Sequence, residues 1–338
     1  MLILGIDTSC DETAAAVVRN GSEILSNIVA SQFDIHHKYG GIVPELASRK
    51  HIECILPVVT EAIDKAQVSM DSLDGVAVTA GPGLVGALLV GLNFAKAFSY
   101  ARVIPLVGVN HLEAHVSAIY LSDKRPDFPF ICLLASGGHT IIFYVKEVGS
   151  LEVMGQTRDD AAGEAFDKAA KILGLGYPGG RLMDELSQQG DPERITFPRA
   201  YMEEYGLDFS FSGVKAALVR YLNANHPAPP ALEISDIAAG FQQSIIDVLV
   251  KKSFDALEQK QCARLAIVGG VASNTGLRRH MESEGARRGV SVFIPKPVLC
   301  TDNAAMVAAA GFYMFLNKKT GALDMDAFST ASARRQRI

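Results

Sequence analysis

The sequence predicts an α/β protein of two related lobes with a cleft between them, and three observations lead there. Residues 3–18 (ILGIDTSCDETAAAVV) and residues 130–145 (FICLLASGGHTIIFYV) each run apolar segment, small polar turn, apolar segment, the signature of a strand–turn–strand hairpin. A shift of 127 residues puts Ser9 on Ser136 and Thr13 on Thr140. Further along, each hairpin is followed by a second shared pattern, a buried strand ending in glycine, a helix-like stretch and another strand. That is a β-turn-α-β unit, whose strands are parallel with a right-handed crossover.

Taken in order, the first hairpin leads to a helical pattern from Pro44 to Val68. Pro44 suits its first turn, Ile52, Ile55, Val59 and Ile63 form an apolar stripe, and Pro57 predicts a kink. The strand at 75–83 (GVAVTAGPG) then feeds a helix to about Ala101 and the strand VIPLVGVN at 103–110. Residues 122–129 (SDKRPDFP) carry two prolines and four charges between apolar segments and read as a linker after a first lobe of 1–121. The second lobe, 130–301, repeats the plan: its hairpin, then the strand RLAIVGG at 264–270, a helix to Arg288 and the strand VSVFIP at 290–295. An insertion at about 191–230, where Pro192, Pro198, Pro227, Pro229 and Pro230 cluster, belongs to it. Residues 302–338 form a terminal helix and tail.

Composition excludes several classes. With 338 residues, 49% hydrophobic and 20% charged, the chain has ample core, far from a disordered composition. A net charge of −5 is the wrong sign for a dedicated basic nucleic-acid binder. Five cysteines are too few for a disulfide scaffold. The start lacks a basic n-region, so no leader is expected. The most apolar stretch, Leu84–Phe94, is broken by Asn93 and followed by Lys96, so no membrane span is expected and the expected location is the cytoplasm.

Three glycine turns could wrap an anion with backbone N–H groups: Ser136–Thr140 (SGGHT), the first turn with Asp7, Asp11 and Glu12, and Gly269–Asn274 (GGVASN) at a helix start. The competing reading of each is a tight turn and no more. No GxxxxGK[ST] occurs. Gly81–Gly86 (GPGLVG) satisfies GxGxxG, but the following strand ends without an acidic residue, so close backbone packing is the better use of those glycines.

His111 and His115 (HLEAH) stand at i and i+4, on one face of a helix, where both imidazoles can meet one metal ion. A zinc protease would need glutamate directly after the first histidine, where Leu112 stands; Glu113 points about 200° around the helix. Asp302, in PVLCTDNAAM, is the candidate third ligand, and its competing reading is a helix N-cap; Cys300 ranks below it. Two histidines and one carboxylate with open positions favour Fe(II) over structural zinc. Asp167 and Asp184, in and after DDAAGEAFDKAAKILGLGYPGG, could hold ribose hydroxyls or be solvated helix charge. The spacing of DFSFSGVK, residues 208–215, is uninformative.

Together GIDTSCDET, HHKYGGIVPELASRKH, TAGPGLVGALLVG, VNHLEAH, LLASGGHT, DDAAGEAFDKAAKILGLGYPGG, DFSFSGVK, GGVASN and CTDNAAM resemble the TsaD family, once labelled glycoprotease, in its bacterial form. The resemblance runs in order from residue 1 to about 316. Ala135 stands where valine is common, and Ala14–Ala16 replace larger residues. The resemblance implies two duplicated actin-like lobes, of the ribonuclease H-like type, with a nucleotide cleft between them. It implies transfer of the threonylcarbamoyl group of threonylcarbamoyl-AMP to N6 of adenosine 37 of tRNA, with loss of AMP. By that likeness His111, His115 and Asp302 bind one divalent metal, Fe(II), with Zn(II) the alternative. Leu134, Ala135, Ser136, Gly137 and Gly138 would hold the adenylate phosphate and acyl part, Asp167, Gly180 and Asp184 the ribose side, and Asn274 the adenosine side. Asp11 and Glu12 would affect transfer. Implied partners are tRNA, a TsaB-like paralogue and a TsaE-like ATPase, with a TsaC-type synthase supplying the adenylate and no membrane involved.

Two other readings compete. An ATP-dependent sugar kinase on the same fold would expect no paired metal histidines, and a nucleotide-gated interaction module would leave His111 and His115 unexplained. For a tRNA-acting chain at −5, the local basic patches are Arg278-Arg279, Arg287-Arg288 and the Arg334–Arg337 tail, and partners are expected to share in holding the RNA.

Overall fold

The first strand sets the plan. In the computed structural model, which describes residues 1–202, 206–225 and 231–329, β1 (Leu2–Asp7) is buried on both faces and pairs on each side. It meets β2 (Glu12–Arg19) antiparallel, and β3 (Glu23–Ser31) extends that edge. After α1 (Phe33–His36) and α2 (Pro44–Ala66), β4 (Gly75–Gly81) lies parallel to β1 on its other side. Then α3 (Val85–Arg102) crosses over to β5 (Leu106–Asn110), parallel to β4, and α4 (His111–Ser117) follows. The sheet order is β3-β2-β1-β4-β5.

The second sheet repeats it. β6 (Phe130–Ala135) pairs antiparallel with β7 (Thr140–Glu147), which pairs with β8 (Ser150–Gln156). Four helices follow, α5 (Ala162–Ile172), α6 (Gly179–Ser187), α7 (Ser212–Asn225) and α8 (Ala231–Lys260). β9 (Arg264–Val268) then runs parallel to β6, and α9 (Thr275–Arg288) leads to β10 (Ser291–Phe293), parallel to β9. The order β10-β9-β6-β7-β8 is the first sheet's read backwards. Hairpin and βαβ unit thus occur twice with one topology, as the sequence pattern predicts.

The chain divides into two units, residues 1–125 with the segment from 301 onward, and residues 126–300. The last helix, α10 (Ala304–Leu316), therefore belongs with the first sheet, although it follows the second in sequence. A Cβ at Gly5 would strike the carbonyl oxygen of Ala304 and come within 2.9 Å of Ala308 Cβ, so the bare glycine lets this alanine-rich helix lie directly on β1. On the other face, α2 and α3 cover β1 and β4 with Ile55, Val58, Val59, Ile63 and Leu92 against Leu4, Ile6, Val76 and Val78.

The stripe predicted on α2 is wrong at one position. Ile52 is 65% exposed, whereas His51 beside it is fully buried. The imidazole finds polar partners at Thr13 and Cys10 on the sheet side, and these turn Ile52 outward with Leu56. The helix runs through Pro57 without interruption.

In the second unit, the segment the spacing left unread is core. Phe209 and Phe211 are buried in the cluster with Phe241 and Leu218, while Ser210 and Ser212 donate hydrogen bonds to Asp159. Pro227, Pro229, Pro230 and the Arg334–Arg337 tail lie outside the described residues. No helix among the described residues is long and apolar enough to cross a membrane.

Candidate functional site

The end of β5 builds the centre of the first unit. Asn110 caps α4, its Oδ1 accepting from Leu112 N at 2.9 Å, and this starts the helix at His111. One turn on, His115 lies on the same face, the two rings edge to face with centroids 4.6 Å apart. Asp302 reaches them from the start of α10: its Oδ1 is 3.1 Å from His115 Nε2 and 3.6 Å from His111 Nε2. The N-cap of α10 is Asn303, whose Oδ1 accepts from Met306 N, so Asp302 does not cap that helix. One ligand atom from each of His111, His115 and Asp302 lies within 4.8 Å of the others, and the three could hold a metal ion.

The Nδ1 atoms of His111 and His115 are buried without a hydrogen bond among the described residues, while His115 Nε2 faces Asp302. Buried polar nitrogens ordinarily find partners, so these are an unmet demand. Asp7 stands behind the pair, its Oδ2 3.7 Å from His111 Nδ1 and its Oδ1 accepting from Ser9 N at 3.0 Å. Burial raises the Asp7 carboxyl above its ordinary value, His111 opposes the shift and Asp302 adds to it. Glu12 is pushed well up by burial, then by Asp11, with which it shares a hydrogen bond, and by Asp302. Burial and the same acidic neighbours also raise the Cys10 thiol. Four carboxyls thus gather about two histidines.

The glycines of GPGLVG serve close packing. A Cβ at Gly83 would come within 2.5 Å of Ser9 O, and one at Gly86 within 2.5 Å of Ser48 Oγ.

In the second unit, the turns close the carboxyl ends of the neighbouring parallel strands β6 and β9, the end where open α/β sheets take ligands. Leu134 and Ala135 are fully buried strand residues, so they can offer backbone only. Ser136 N donates to His139 O at 2.8 Å, His139 N donates to Ser136 Oγ, and Gly163 N donates to Ser136 O. The Cβ directions of Gly137 and Gly138 point into open space. Gly269, at φ +90°, lies so close to the Ala135 backbone that no side chain would fit.

Sequence alone does not show how far the polar residues here are already engaged. Asp167 Oδ1 accepts from Gly179 N at 2.7 Å and Gly180 N at 3.2 Å, capping α6 from another helix. Asp184 Oδ2 accepts from Thr275 N at 3.0 Å, and its Oδ1 from the Thr275 hydroxyl and Gln242. Asn274 caps α9 and donates to Gln242 Oε1 at 2.6 Å. Gln242, in the middle of α8, joins Asp184 to Asn274; nothing in its sequence context marks it. Asp7 had a signal, a carboxylate ending a strand that runs parallel to β4, although His111 as its partner is visible only in the fold. Of the basic patches, Arg278 is spent on Ala272 O and Pro295 O, and Arg287 and Arg288 both pair with Glu284.

The model of a family described as TsaD, tRNA N6-adenosine threonylcarbamoyltransferase, matches residues 23–309. A protein of that name from Desulforapulum autotrophicum is 54% identical over 97% of this chain and 98% of its own length. Another from Clostridium botulinum (strain Kyoto / Type A2) is 52% identical over 96% of each. Among solved structures, component A of the Acidaminococcus fermentans (R)-2-hydroxyglutaryl-CoA dehydratase aligns with TM-score 0.56 at 15% identity, over 94% of this chain and 99% of that one. HypF of T. kodakarensis aligns with TM-score 0.60 at 14% identity, over 94% of this chain and 48% of that one. These distant likenesses speak for the fold alone, the duplicated actin-like α/β lobes. The identity across nearly the whole length says more: the chain belongs to the TsaD family of tRNA N6-adenosine threonylcarbamoyltransferases.

Proposed function

We propose that the chain takes the threonylcarbamoyl group from threonylcarbamoyl-AMP and places it on N6 of adenosine 37 of tRNAs reading codons that begin with adenine, releasing AMP. The observation that carries this reading is the meeting of His111, His115 and Asp302 in a member of this family. Their donor set fits a divalent cation. Two imidazoles and a carboxylate converge, and further acidic side chains, Asp7 and Glu12, crowd the same place. Fe(II) is the ion such a set with open positions favours, and Zn(II) is the alternative. When bound, it supplies Lewis-acid polarisation of a substrate oxygen.

The rest falls to the chain's own residues. Asp7 fixes the ring of His111 from behind. In the second unit, backbone amides of Gly137 and Gly138 hold the adenylate phosphate and acyl part, with Ser136 closing the turn on His139 and Leu134 and Ala135 anchoring it in β6. Gly180 offers backbone to the ribose side. Asp167, Asp184 and Asn274 act there by holding the starts of α6 and α9 in place. The N6 amine attacks the carbamoyl carbon, a C–N bond forms, and the C–O bond to phosphate breaks. Glu12, beside Asp11, takes the proton that the amine loses. An aromatic amine is a weak nucleophile, so orientation matters more than base strength.

Because the net charge is −5 and the described arginine patches are largely paired, a TsaB-like paralogue and a TsaE-like ATPase share in holding tRNA in the cytoplasm, while a TsaC-type synthase supplies the adenylate. The test combines this chain with such partners, unmodified tRNA, threonine, bicarbonate and ATP. Threonylcarbamoyladenosine in the digested tRNA is expected, and its absence would overturn the reading. In parallel, His111→Ala should lose bound metal and single-turnover transfer together; transfer at the wild-type rate would remove the metal from the mechanism.

A further inference from the structure

The turn that carries Asp11 and Glu12 is held by three successive carbonyls. Ser9 O accepts from Leu84 N at 2.9 Å, Asp11 O from Gln32 N at 3.1 Å, and Cys10 O, between them, from His51 Nε2 at 3.0 Å. Two of these anchors are backbone amides and would survive any side-chain change. The third depends on one imidazole.

That imidazole is built in. Cys10 O can only accept, so Nε2 carries the proton, and Nδ1 is left to accept from the Thr13 hydroxyl at 2.8 Å. His51 therefore grips both ends of the Cys10–Thr13 stretch. Gln32 lies against the ring and accepts from His36 Nε2 at 3.2 Å, while Val43 N donates to His36 Nδ1. Thr13, Gln32, His36 and His51 are all at most 2% exposed, and a satisfied buried network of this kind is rigid. Burial also lowers the proton affinity of His51, which keeps the ring neutral and its one tautomer in place.

We infer that His51 is a positioning residue for the transfer step: through Cys10 O and Thr13 it fixes the turn that aims Asp11 and Glu12, without touching substrate or metal. The inference rests on the proposed role of Glu12. It is not implied by the His111, His115 and Asp302 centre, with which His51 shares no hydrogen bond among the described residues.

The test uses the full-length protein with its partners and compares wild type, His51→Phe, His51→Gln and Thr13→Val. Phenylalanine deletes both hydrogen bonds, glutamine can still donate to Cys10 O, and valine removes only the Thr13 bond. Misaiming a reacting group by about 1 Å costs roughly 100-fold, so His51→Phe should slow single-turnover transfer on that scale, with metal content and donor affinity unchanged. His51→Gln should recover a large part of the rate. On a Glu12→Gln background, His51→Phe should add little further loss, because both changes strike the same group. Amide exchange across Cys10–Thr13 should quicken in His51→Phe, and to a lesser degree in Thr13→Val should the phenylalanine variant fail to fold. Unchanged exchange in a folded His51 variant, rate losses that multiply with Glu12→Gln, or loss of metal would each overturn the inference. If wild type makes no product, the proposed reaction falls, and the exchange comparison still decides whether His51 holds the turn.

Discussion

Gly5→Ala tests whether the seat of α10 governs the metal centre. The added methyl would collide with the Ala304 carbonyl, stand 2.8 Å from Ala308 N and 2.9 Å from Ala308 Cβ. None of these is the end of a flexible side chain, so the helix itself must move. Overpacking of this kind costs about 1–3 kcal/mol, and the stiffer unfolded chain returns about 0.4–1 kcal/mol. The mid-range net loss is therefore about 1.3 kcal/mol, or a fall of roughly 3–5 °C in Tm for a unit of this size. The more telling effect is local. Ala304 opens α10 and Asp302 stands two residues before it, so the displacement passes directly to the carboxylate 3.1 Å from His115. Disturbing the support of a metal ligand typically costs about 10–100-fold in affinity, and Gly5→Ala should lose at least the lower figure. Differential scanning calorimetry of the metal-free protein and competitive metal titration measure the two effects separately. Wild-type affinity alongside a lowered Tm would show that Asp302 is positioned independently of α10 and would refute the link.

Three further outcomes are expected. Asp7→Asn keeps the shape behind His111 but removes the charge that orients its ring, so metal affinity should fall about 10–100-fold with Tm held or raised; titration of the apo protein reads it. Asp184→Ala strips the partners from Thr275 and Gln242 and should cost about 1–3 kcal/mol in urea unfolding, whereas Asp184→Asn, which keeps an acceptor, should lose less. Asp160 is partly buried, which works to raise its carboxyl, but hydrogen bonds from Lys168 and Lys215 outweigh this and hold it below the ordinary range. A depressed carboxyl contributes stability that is fully present above its unfolded value of about 3.9 and is lost as pH falls through the folded value. The Tm advantage of wild type over Asp160→Asn should therefore hold at neutral pH and shrink below about pH 4; an advantage that grew on acidification would refute the pairing.

The fold was legible wherever one pattern could be read twice. Two hairpins and two βαβ units, in the same order, specify two sheets of the same topology, because parallel strands need crossovers and crossovers have one hand. The pairing of α10 with the first sheet was not legible. It depends on Gly5 being bare, and a glycine inside an apolar run looks the same whether a helix lies on it or not. In the site, the i, i+4 spacing of His111 and His115 marks a shared face, and Asp302 supplies a third donor of the right kind. What spacing could not resolve was how the remaining polar groups are spent. Asp184, Asn274 and Gln242 form one buried network drawn from three helices, and His51 displaced Ile52 from an otherwise regular apolar stripe. Such contacts join residues dozens of positions apart, and no local period encodes them.

The electrostatics of the first unit tie these threads together. Asp7, Asp11, Glu12 and Asp302 occupy one neighbourhood; the carboxyls of Asp7 and Glu12 are raised by burial first, Asp302 adding at both and Asp11 at Glu12. Gathering acids out of water is unfavourable unless a positive charge offsets them. His111 offsets part of this at Asp7, while Asp302 adds to it at both Asp7 and Glu12. A divalent cation held by His111, His115 and Asp302 would reverse the balance, favouring the ionised form of the neighbouring carboxyls. Metal binding should then release protons and stabilise the first unit in the same step, because the unfolded chain presents no such site. Isothermal titration in buffers of different ionisation enthalpy would count the protons. A metal that bound at His111 and His115 with no proton release at neutral pH would mean that Asp7 and Glu12 were already ionised, and that the acidic cluster had found its compensation elsewhere.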